Sequence, residues 1–366
     1  MLDKNRCFIP ERFRDKPLFN ELHRGMNFGF MARRGYYNRP EVRKQPELMQ
    51  KIGVNWVTLN ANLCQDTFFS RHVYLDPIFS SGEAELGDMA KNLHDHGIRI
   101  LLKPCLTPLD SSWMGGVNFP VSLEDGTPAR FWQQWFDSFR EGLKYYADFS
   151  ERYQIEALII GAEYFGTEKQ NEEWSKTIET VRQHYSGPIT YEFTRSSLER
   201  SLEWMNELDF LSMSFYPPAA DHEFRKEAQF NLAPVVTLEE MITVLSVQLE
   251  FIQSVSRRFG HKPIAFTEIG TRSAHGNIIQ PFNFMADSYY DGQEQANYME
   301  AVFKTFSSLS CWLGLYWWKW DETQYRPQYN GDPRGDRGFT VQGKPAEAVL
   351  RKWFSALQSS DNMSES

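Results

Sequence analysis

LIIGAEYFGTE, residues 158–168, begins with a short apolar run that stops at an acid, Glu163. PIAFTEIGT, residues 263–271, likewise contains an apolar run that stops at Glu268. Short apolar runs bounded by turn residues are typical of strands that are buried on both faces of a parallel sheet. A carboxylate at the end of such a strand is costly unless it is paired or its pKa shifts. The two stretches therefore predict a parallel sheet whose strand-end acids have a use.

Similar apolar runs alternate with amphipathic helical stretches along the whole chain, which favours βα units. Strands are predicted at 25–32, 55–60, 98–104, 157–163, 189–193, 210–216, 264–269 and 311–318. Helices are predicted near 40–52, 83–97, 131–152, 168–185, 197–207, 237–259, 293–308 and 345–357. Eight strands alternating with eight helices is the pattern of a single (β/α)8 TIM barrel.

The connecting segments differ in length at the two ends of the predicted strands. Helix-to-strand connections such as 52–54 and 96–98 are short, whereas strand-to-helix connections such as 105–130 and 270–292 are long. Long loops in a compact domain are usually functional, and in this barrel the active site lies where the strands end. We therefore expect the site at the C-terminal face of the strands. A two-domain α/β protein is the structural alternative, but no linker or change of composition supports it.

The same reasoning divides the chain into three parts. Residues 1–24 are predicted to be an N-terminal extension that packs on the barrel, residues 25–357 the (β/α)8 catalytic domain, and residues 358–366 a disordered tail. The charged first residues lack the apolar core of a signal peptide, so a cytoplasmic location is expected, or a secreted one if a signal has been removed. No stretch approaches ~18 apolar residues, so no membrane association is expected.

Charge and composition exclude some partners. The net charge of −9 and a pI near 5.5 argue against nucleic acid, whose phosphates require a basic surface. His94 and His96 are two residues apart at a helix end, where they face different directions, and the four cysteines have no metal or redox spacing. We expect no metal and no cofactor, and the oligomeric state stays open. Aromatic residues form 15% of the chain, and their flat apolar rings can stack on the faces of sugars.

Residues that can bind or cleave a sugar follow several of the predicted strands. They comprise acids, amides, a lysine, a phenol and indoles: Asn60, Asn62, Lys103, Glu163, Glu192, Tyr216, Glu268, Trp317, Trp318 and Trp320. Two carboxyl groups in different environments can act as an acid and a nucleophile on either side of one glycosidic bond. Tyr216 would donate a hydrogen bond to the ionised carboxylate, and the amides, Lys103, Glu192 and the indoles would contact substrate.

Structural alternatives exist for several of these residues. Glu163 could cap the following turn, Glu268 could form a salt bridge at the rim with Arg272 or Lys103, and Glu192 could pair with Arg195. Lys103 is equally compatible with a charge at the barrel rim. Strand alternation sends two successive residues of the tryptophan run to opposite faces, so one would bind sugar and the other would pack in the core.

Several segments resemble glycoside hydrolase family 113, a family of mainly β-1,4-mannanases within the large clan of retaining glycosidases with (β/α)8 barrels. The resemblance runs from about residue 25 to 355 and is carried by GVNWVTLNANLCQDTFFS, HGIRILLKP, IIGAEYFGTE, LDFLSMSFYPP, PIAFTEIG, GLYWWKWDE and GFTVQGKPAEAVLRKWF. It implies that Glu163 at the fourth strand is the acid/base and that Glu268 at the seventh is the nucleophile, with retention of configuration.

The chain also departs from this family pattern near the expected site. Cys105 stands where the family usually has histidine, Glu192 and Thr194 replace smaller residues and an asparagine, and Ala162 precedes the acid where many clan members have asparagine. The resemblance implies hydrolysis of β-1,4-mannan or manno-oligosaccharides by double displacement. The departures leave a β-glucosidase-like or β-galactosidase-like enzyme as the alternative. A carbohydrate-binding barrel without turnover is the alternative from a different class.

Overall fold

The computed structural model describes residues 7–200, 202–220, 230–285, 288–321 and 333–364. Eight parallel strands close into a barrel in sequence order, with β8 pairing back onto β1. The strands are β1 His23–Phe28, β2 Trp56–Gln65, β3 Arg99–Pro108, β4 Ala157–Ala162, β5 Ile189–Phe193, β6 Leu211–Ser214, β7 Ile264–Ile269 and β8 Trp312–Trp320. The predicted (β/α)8 barrel is confirmed.

Helices on the outside of the barrel connect these strands. They are α1 Pro40–Arg43, α2 Gln45–Lys51, α3 Glu83–Asp95, α4 Phe131–Arg152, α5 Asn171–His184, α6 Arg195–Leu198, α7 Leu238–Ser246, α8 Gln248–Arg258, α9 Gly292–Phe306 and α10 Pro345–Ser364. Two predicted helices are each divided in two, at Lys44 and at Val247. The predicted helix at 197–207 is instead the short α6 and a 3-10 turn, Glu203–Glu207.

The N-terminal segment closes the end of the barrel at which the strands begin. It contributes apolar side chains to a cluster with inward-facing strand residues: Ile9, Phe13, Leu18 and Phe19 with Trp56, Leu101, Ala157, Ile159, Phe210, Ala265, Leu313 and Tyr316. Removing this much apolar surface from water stabilises the closed barrel. In the described part of the chain this end is therefore a packed core, and the opposite end, where the strands finish, is the one open to a ligand.

A second level of small polar side chains lies above this apolar cluster. It consists of inward-facing residues nearer the ends of their strands, namely Asn27, Thr58, Thr190, Ser212 and Thr267. Thr58 donates to Asn27 Oδ1, and Asn27 donates to the carbonyl of Thr267 at 2.9 Å. These polar groups are hydrogen-bonded to one another and to strand carbonyls. The charged residues of the next level, towards the strand ends, therefore lie on a polar layer and not directly on the apolar cluster.

The ends of the chain bear on the predicted division. The last helix, α10, continues past residue 357 to Ser364. The partition into extension, catalytic barrel and tail stays a prediction.

Within the described residues, no helix is both long enough and apolar enough to cross a membrane.

Candidate active site

Glu163 directly follows β4 in a strained backbone conformation. Its φ is +58°, in the left-handed region that non-glycine residues rarely adopt, and its N–H donates to the carbonyl of Glu192 at 2.9 Å. Backbone strain of this kind persists where surrounding contacts enforce it, and it clusters at functional sites. The strain turns Glu163 out of the regular strand at the C-terminal face of the barrel.

The surroundings of the Glu163 carboxyl raise its pKa above the usual value. Burial raises its pKa, and the charge of Glu268 raises it further, while a hydrogen bond from Ser214 and the charge of Lys103 oppose the rise. Since the charge of Glu268 contributes to this rise, the two carboxyl groups interact across the barrel mouth. Such a pair can divide into one acid and one anion.

Glu268 lies on β7 with donors at both carboxylate oxygens. Tyr216 donates its phenol to Oε2 at 2.9 Å, and the Lys103 ammonium donates to Oε1. Burial raises the pKa of Tyr216 well above its usual value, and the neighbouring Glu268 adds to this, so the phenol remains a donor. These contacts fix the orientation of the carboxylate. The predicted pairing of Tyr216 with Glu268 is present in the structure.

Lys103 joins two acids inside the barrel. Its ammonium donates to Glu192 Oε1 at 2.6 Å as well as to Glu268. Burial alone would lower the pKa of Lys103, but the two carboxylates outweigh it and raise that pKa well above the usual value. Glu192 is 0% exposed. It pairs with Lys103, whereas Arg195, its proposed structural partner, pairs with Glu199 at 3.2 Å.

Asn60 and Asn62, near the middle of β2, are buried and hydrogen-bonded to backbone carbonyls. Asn60 donates to the carbonyl of Phe28 at 2.9 Å, and Asn62 donates to the carbonyls of Ala32 and Phe79 at 2.9 and 2.8 Å. Cys105 donates to Asn60 Oδ1 at 3.3 Å. Burial raises the pKa of the Cys105 thiol to about 12, so it is a neutral group beside the acids. Asn62 thus anchors loops, and a role in substrate binding stays a prediction for both amides.

Trp317 and Trp318 of β8 lie on opposite faces as alternation requires, whereas Trp320, two positions after Trp318, does not share its surroundings. Trp317 is 0% exposed and donates to the carbonyl of Phe339, and Trp320 donates to Gln45 at 2.8 Å. Trp318 is 9% exposed, lies edge-on to the exposed Phe30 at 4.7 Å, and has the Lys103 ammonium 5.8 Å from its ring centroid. Trp318 is therefore the member of the run that faces the acids.

Two residues of the site were not found by sequence reasoning. Ser214 bonds to the Glu163 carboxyl, and Phe30 extends the apolar surface of Trp318. The signal for Ser214 was available, since it lies two positions after the inward-facing Ser212. Phe30 follows the left-handed Gly29, which ends β1 earlier than predicted, and no local pattern marked it as part of the site.

A second cluster of titratable groups lies between the loop after β7 and the start of α9. His275 Nδ1 is 3.2 Å from Asp291 and 3.4 Å from Glu294, and its Nε2 is 2.8 Å from the carbonyl of Ala233. In the described part of the chain, these are the groups spaced closely enough to hold a metal ion. Because both ring nitrogens face acceptors, the geometry is that of an imidazolium donating twice.

Comparison with known proteins identifies the barrel. The sequence model of glycoside hydrolase family 113 matches residues 26–344. This range holds every site residue described above. The chain belongs to glycoside hydrolase family 113. The predicted family and the predicted class of enzyme, a glycoside hydrolase, are confirmed.

Solved structures agree with this membership. A family 113 β-1,4-mannanase in complex is 25% identical with a TM-score of 0.80, covering 92% of this chain and 99% of that one. The family 113 β-mannanase of Alicyclobacillus acidocaldarius with ManMIm is also 25% identical, with a TM-score of 0.79 and coverage of 93% and 99%. A family 5 mannosidase of Rhizomucor miehei, 12% identical with a TM-score of 0.64 and coverage of 98% and 99%, shares the fold. No curated protein sequence matches.

Proposed function

We propose that this family 113 member is a retaining β-glycoside hydrolase that cleaves β-1,4-linked mannan or manno-oligosaccharides by double displacement. The observation that carries the proposal is the contrast between its two acids. Burial and the charge of Glu268 raise the pKa of Glu163, whereas Glu268 accepts bonds from an ammonium and a phenol. One group is suited to deliver a proton and the other to attack.

In the first step, Glu163 protonates the glycosidic oxygen while Glu268 attacks the anomeric carbon. The bond between that carbon and the leaving oxygen breaks, and an ester forms between sugar and Glu268. Tyr216 and Lys103 hold the attacking carboxylate in position. General acid catalysis of this kind accounts for roughly 10²–10⁴-fold in rate.

In the second step, the ionised Glu163 removes a proton from water, which attacks the anomeric carbon and releases Glu268. Two inversions restore the original β configuration. Once Glu268 is esterified, its charge no longer raises the pKa of Glu163. The acid of the first step therefore becomes a better-ionised base for the second.

The proposed sugar rests on the relatives, since the similar family 113 structures are a β-1,4-mannanase and a β-mannanase. Trp318 with Phe30 would provide the apolar surface for a sugar face. Because Cys105 and Glu192 stand where the family usually has other residues, a β-glucosidase-like or β-galactosidase-like specificity is the second candidate. A cytoplasmic location stays a prediction.

The test compares hydrolysis of manno-oligosaccharides with hydrolysis of aryl β-mannosides, β-glucosides and β-galactosides. Wild type, Glu163→Ala and Glu268→Ala are assayed, with Glu179→Gln on the exposed face of α5 as a matched control. We expect both alanine variants to lose at least about 10³-fold in kcat/KM and the control to lose nothing. Azide should rescue Glu268→Ala as the α-glycosyl azide and Glu163→Ala as the β-azide.

Distinct outcomes would contradict distinct parts of the proposal. Binding of manno-oligosaccharides without cleavage of any substrate would leave a carbohydrate-binding barrel. Faster cleavage of glucosides or galactosides than of mannosides would replace the sugar but keep the mechanism. An α-configured first product, seen by proton NMR, would exclude retention.

A further inference from the structure

Glu192 is a fully buried acid on the inside of the barrel. It is 0% exposed, and its Oε1 accepts from Lys103 at 2.6 Å. Its Oε2 has no hydrogen-bond partner among the described residues. An acid inside the barrel with one strong partner must act through that partner, which is the ammonium that also contacts Glu268.

The charges around Lys103 change during the proposed reaction. In the free enzyme the ammonium is shared by Glu192 and Glu268. When Glu268 forms its ester bond with the anomeric carbon, its negative charge is lost and the ammonium keeps Glu192 as its carboxylate partner. An uncompensated buried charge is strongly destabilising. Without Glu192, the covalent step would therefore leave a buried cation next to a sugar that itself develops positive charge.

The charges that act on the pKa of Glu192 also favour this pairing once Glu268 is esterified. Burial raises the pKa of Glu192, Lys103 opposes the rise, and the charges of Glu268 and Glu163 add to it. Cys105, Tyr164 and Tyr216 are the other titratable groups that interact with it. Esterification of Glu268 removes one of the repelling charges, so the carboxylate of Glu192 becomes more stable at the moment Lys103 needs it.

We propose that Glu192 is a positioning residue that keeps the Lys103 ammonium paired while Glu268 is bound to the sugar. The inference rests on the proposed roles of Glu163 and Glu268. It assigns Glu192 to electrostatic support of the covalent intermediate and not to recognition of a sugar hydroxyl.

The test is a double-mutant cycle with Glu192→Gln, Lys103→Met and the combined variant. The substrate is the aryl β-glycoside that the wild type cleaves fastest, and the burst of released phenol reports formation of the covalent intermediate. We expect Glu192→Gln to slow that burst about 100-fold in the wild-type background, as for loss of a transition-state charge contact. In the Lys103→Met background the same change should alter the rate less than about threefold, because no ammonium remains to be paired.

Two further measurements separate this role from a structural one. Loss of the Glu192 charge removes a repelling charge near Glu163, so the basic limb of the kcat/KM profile should move to lower pH. The ratio of rates on epimeric glycosides should not change. Glu294→Gln, another buried acid with an unpartnered oxygen, is the matched control and should leave both unchanged.

The outcomes are distinguishable from failure of the proposed function. A wild type that cleaves no glycoside contradicts the proposed function itself. An active wild type with Glu192→Gln equally costly in both backgrounds, or with an altered preference among epimers, makes Glu192 a substrate contact and overturns the inference. An unshifted pH profile would mean that Glu192 is neutral in the working enzyme, which also overturns it. Circular dichroism of each variant establishes that it is folded.

Discussion

Replacing Ser214 with alanine should move the basic limb of the pH–rate profile to higher pH. Ser214 bonds to the Glu163 carboxyl and thereby favours its ionised form. Without the hydroxyl, burial and the charge of Glu268 raise the pKa of Glu163 with less opposition. Glu163 then keeps its proton to higher pH, and the enzyme keeps its acid.

The magnitude follows from the kind of bond that is lost. A hydrogen bond to a charged group is worth about 1.5–3 kcal/mol, and one pKa unit corresponds to about 1.4 kcal/mol, so the limb can move by about 1–2 pH units. Glu163 is half-buried, so water can replace part of the bond. We therefore expect the lower end of the range, about 1 pH unit upwards.

The assay is kcat/KM against pH for an aryl β-glycoside with a poor leaving group, since that substrate needs the acid. A dinitrophenyl glycoside, which leaves without a proton, should show little change. Ser212→Ala is the matched control because Ser212 lies one level lower on β6 and donates to the carbonyl of Tyr191 at 3.0 Å. A basic limb that stays in place or moves to lower pH in Ser214→Ala would refute either the Ser214 bond or the role of Glu163.

Three other expectations concern binding and stability. Trp318→Ala should raise KM for oligosaccharides, whereas Trp317→Ala should cost about 3–5 kcal/mol of unfolding free energy in urea, since Trp317 is fully buried. Phe19→Ala should cost a similar amount, about 3–5 kcal/mol, with unchanged kcat in the folded fraction, because Phe19 packs at the closed end of the barrel. Hydrogen bonds and neighbouring carboxylates raise the pKa of His275 against the effect of burial, and burial raises that of Glu294 to about 7, so both bind protons more tightly in the folded state. The contribution of Glu294 to stability should fall as pH rises through about 5–7, and that of His275 should fall as pH rises above its ordinary pKa of 6.5. His275→Asn should therefore flatten the loss of thermal stability above about pH 6.5, and an unchanged slope there would contradict it.

Local pattern was sufficient for the barrel and for the position of its acids. Strand periodicity, glycine-ended helices and the difference in loop lengths depend on neighbours in the chain, so the order of strands and the functional face could be predicted. The helix boundaries were less well predicted, as at 197–207, where an expected helix is replaced by two short turns. Propensity over so few residues is weak, and packing decides the outcome.

The amino-acid sequence by itself determined a (β/α)8 barrel and the strand ends that carry Glu163 and Glu268. The tertiary structure alone decided that Trp318 faces them and Trp317 does not, and that Lys103 on β3 joins acids from β5 and β7. The physical reason is that these contacts cross the inside of the barrel. They depend on strand register and closure, which bring together side chains far apart in sequence, whereas periodicity records only which face of its own strand each residue occupies.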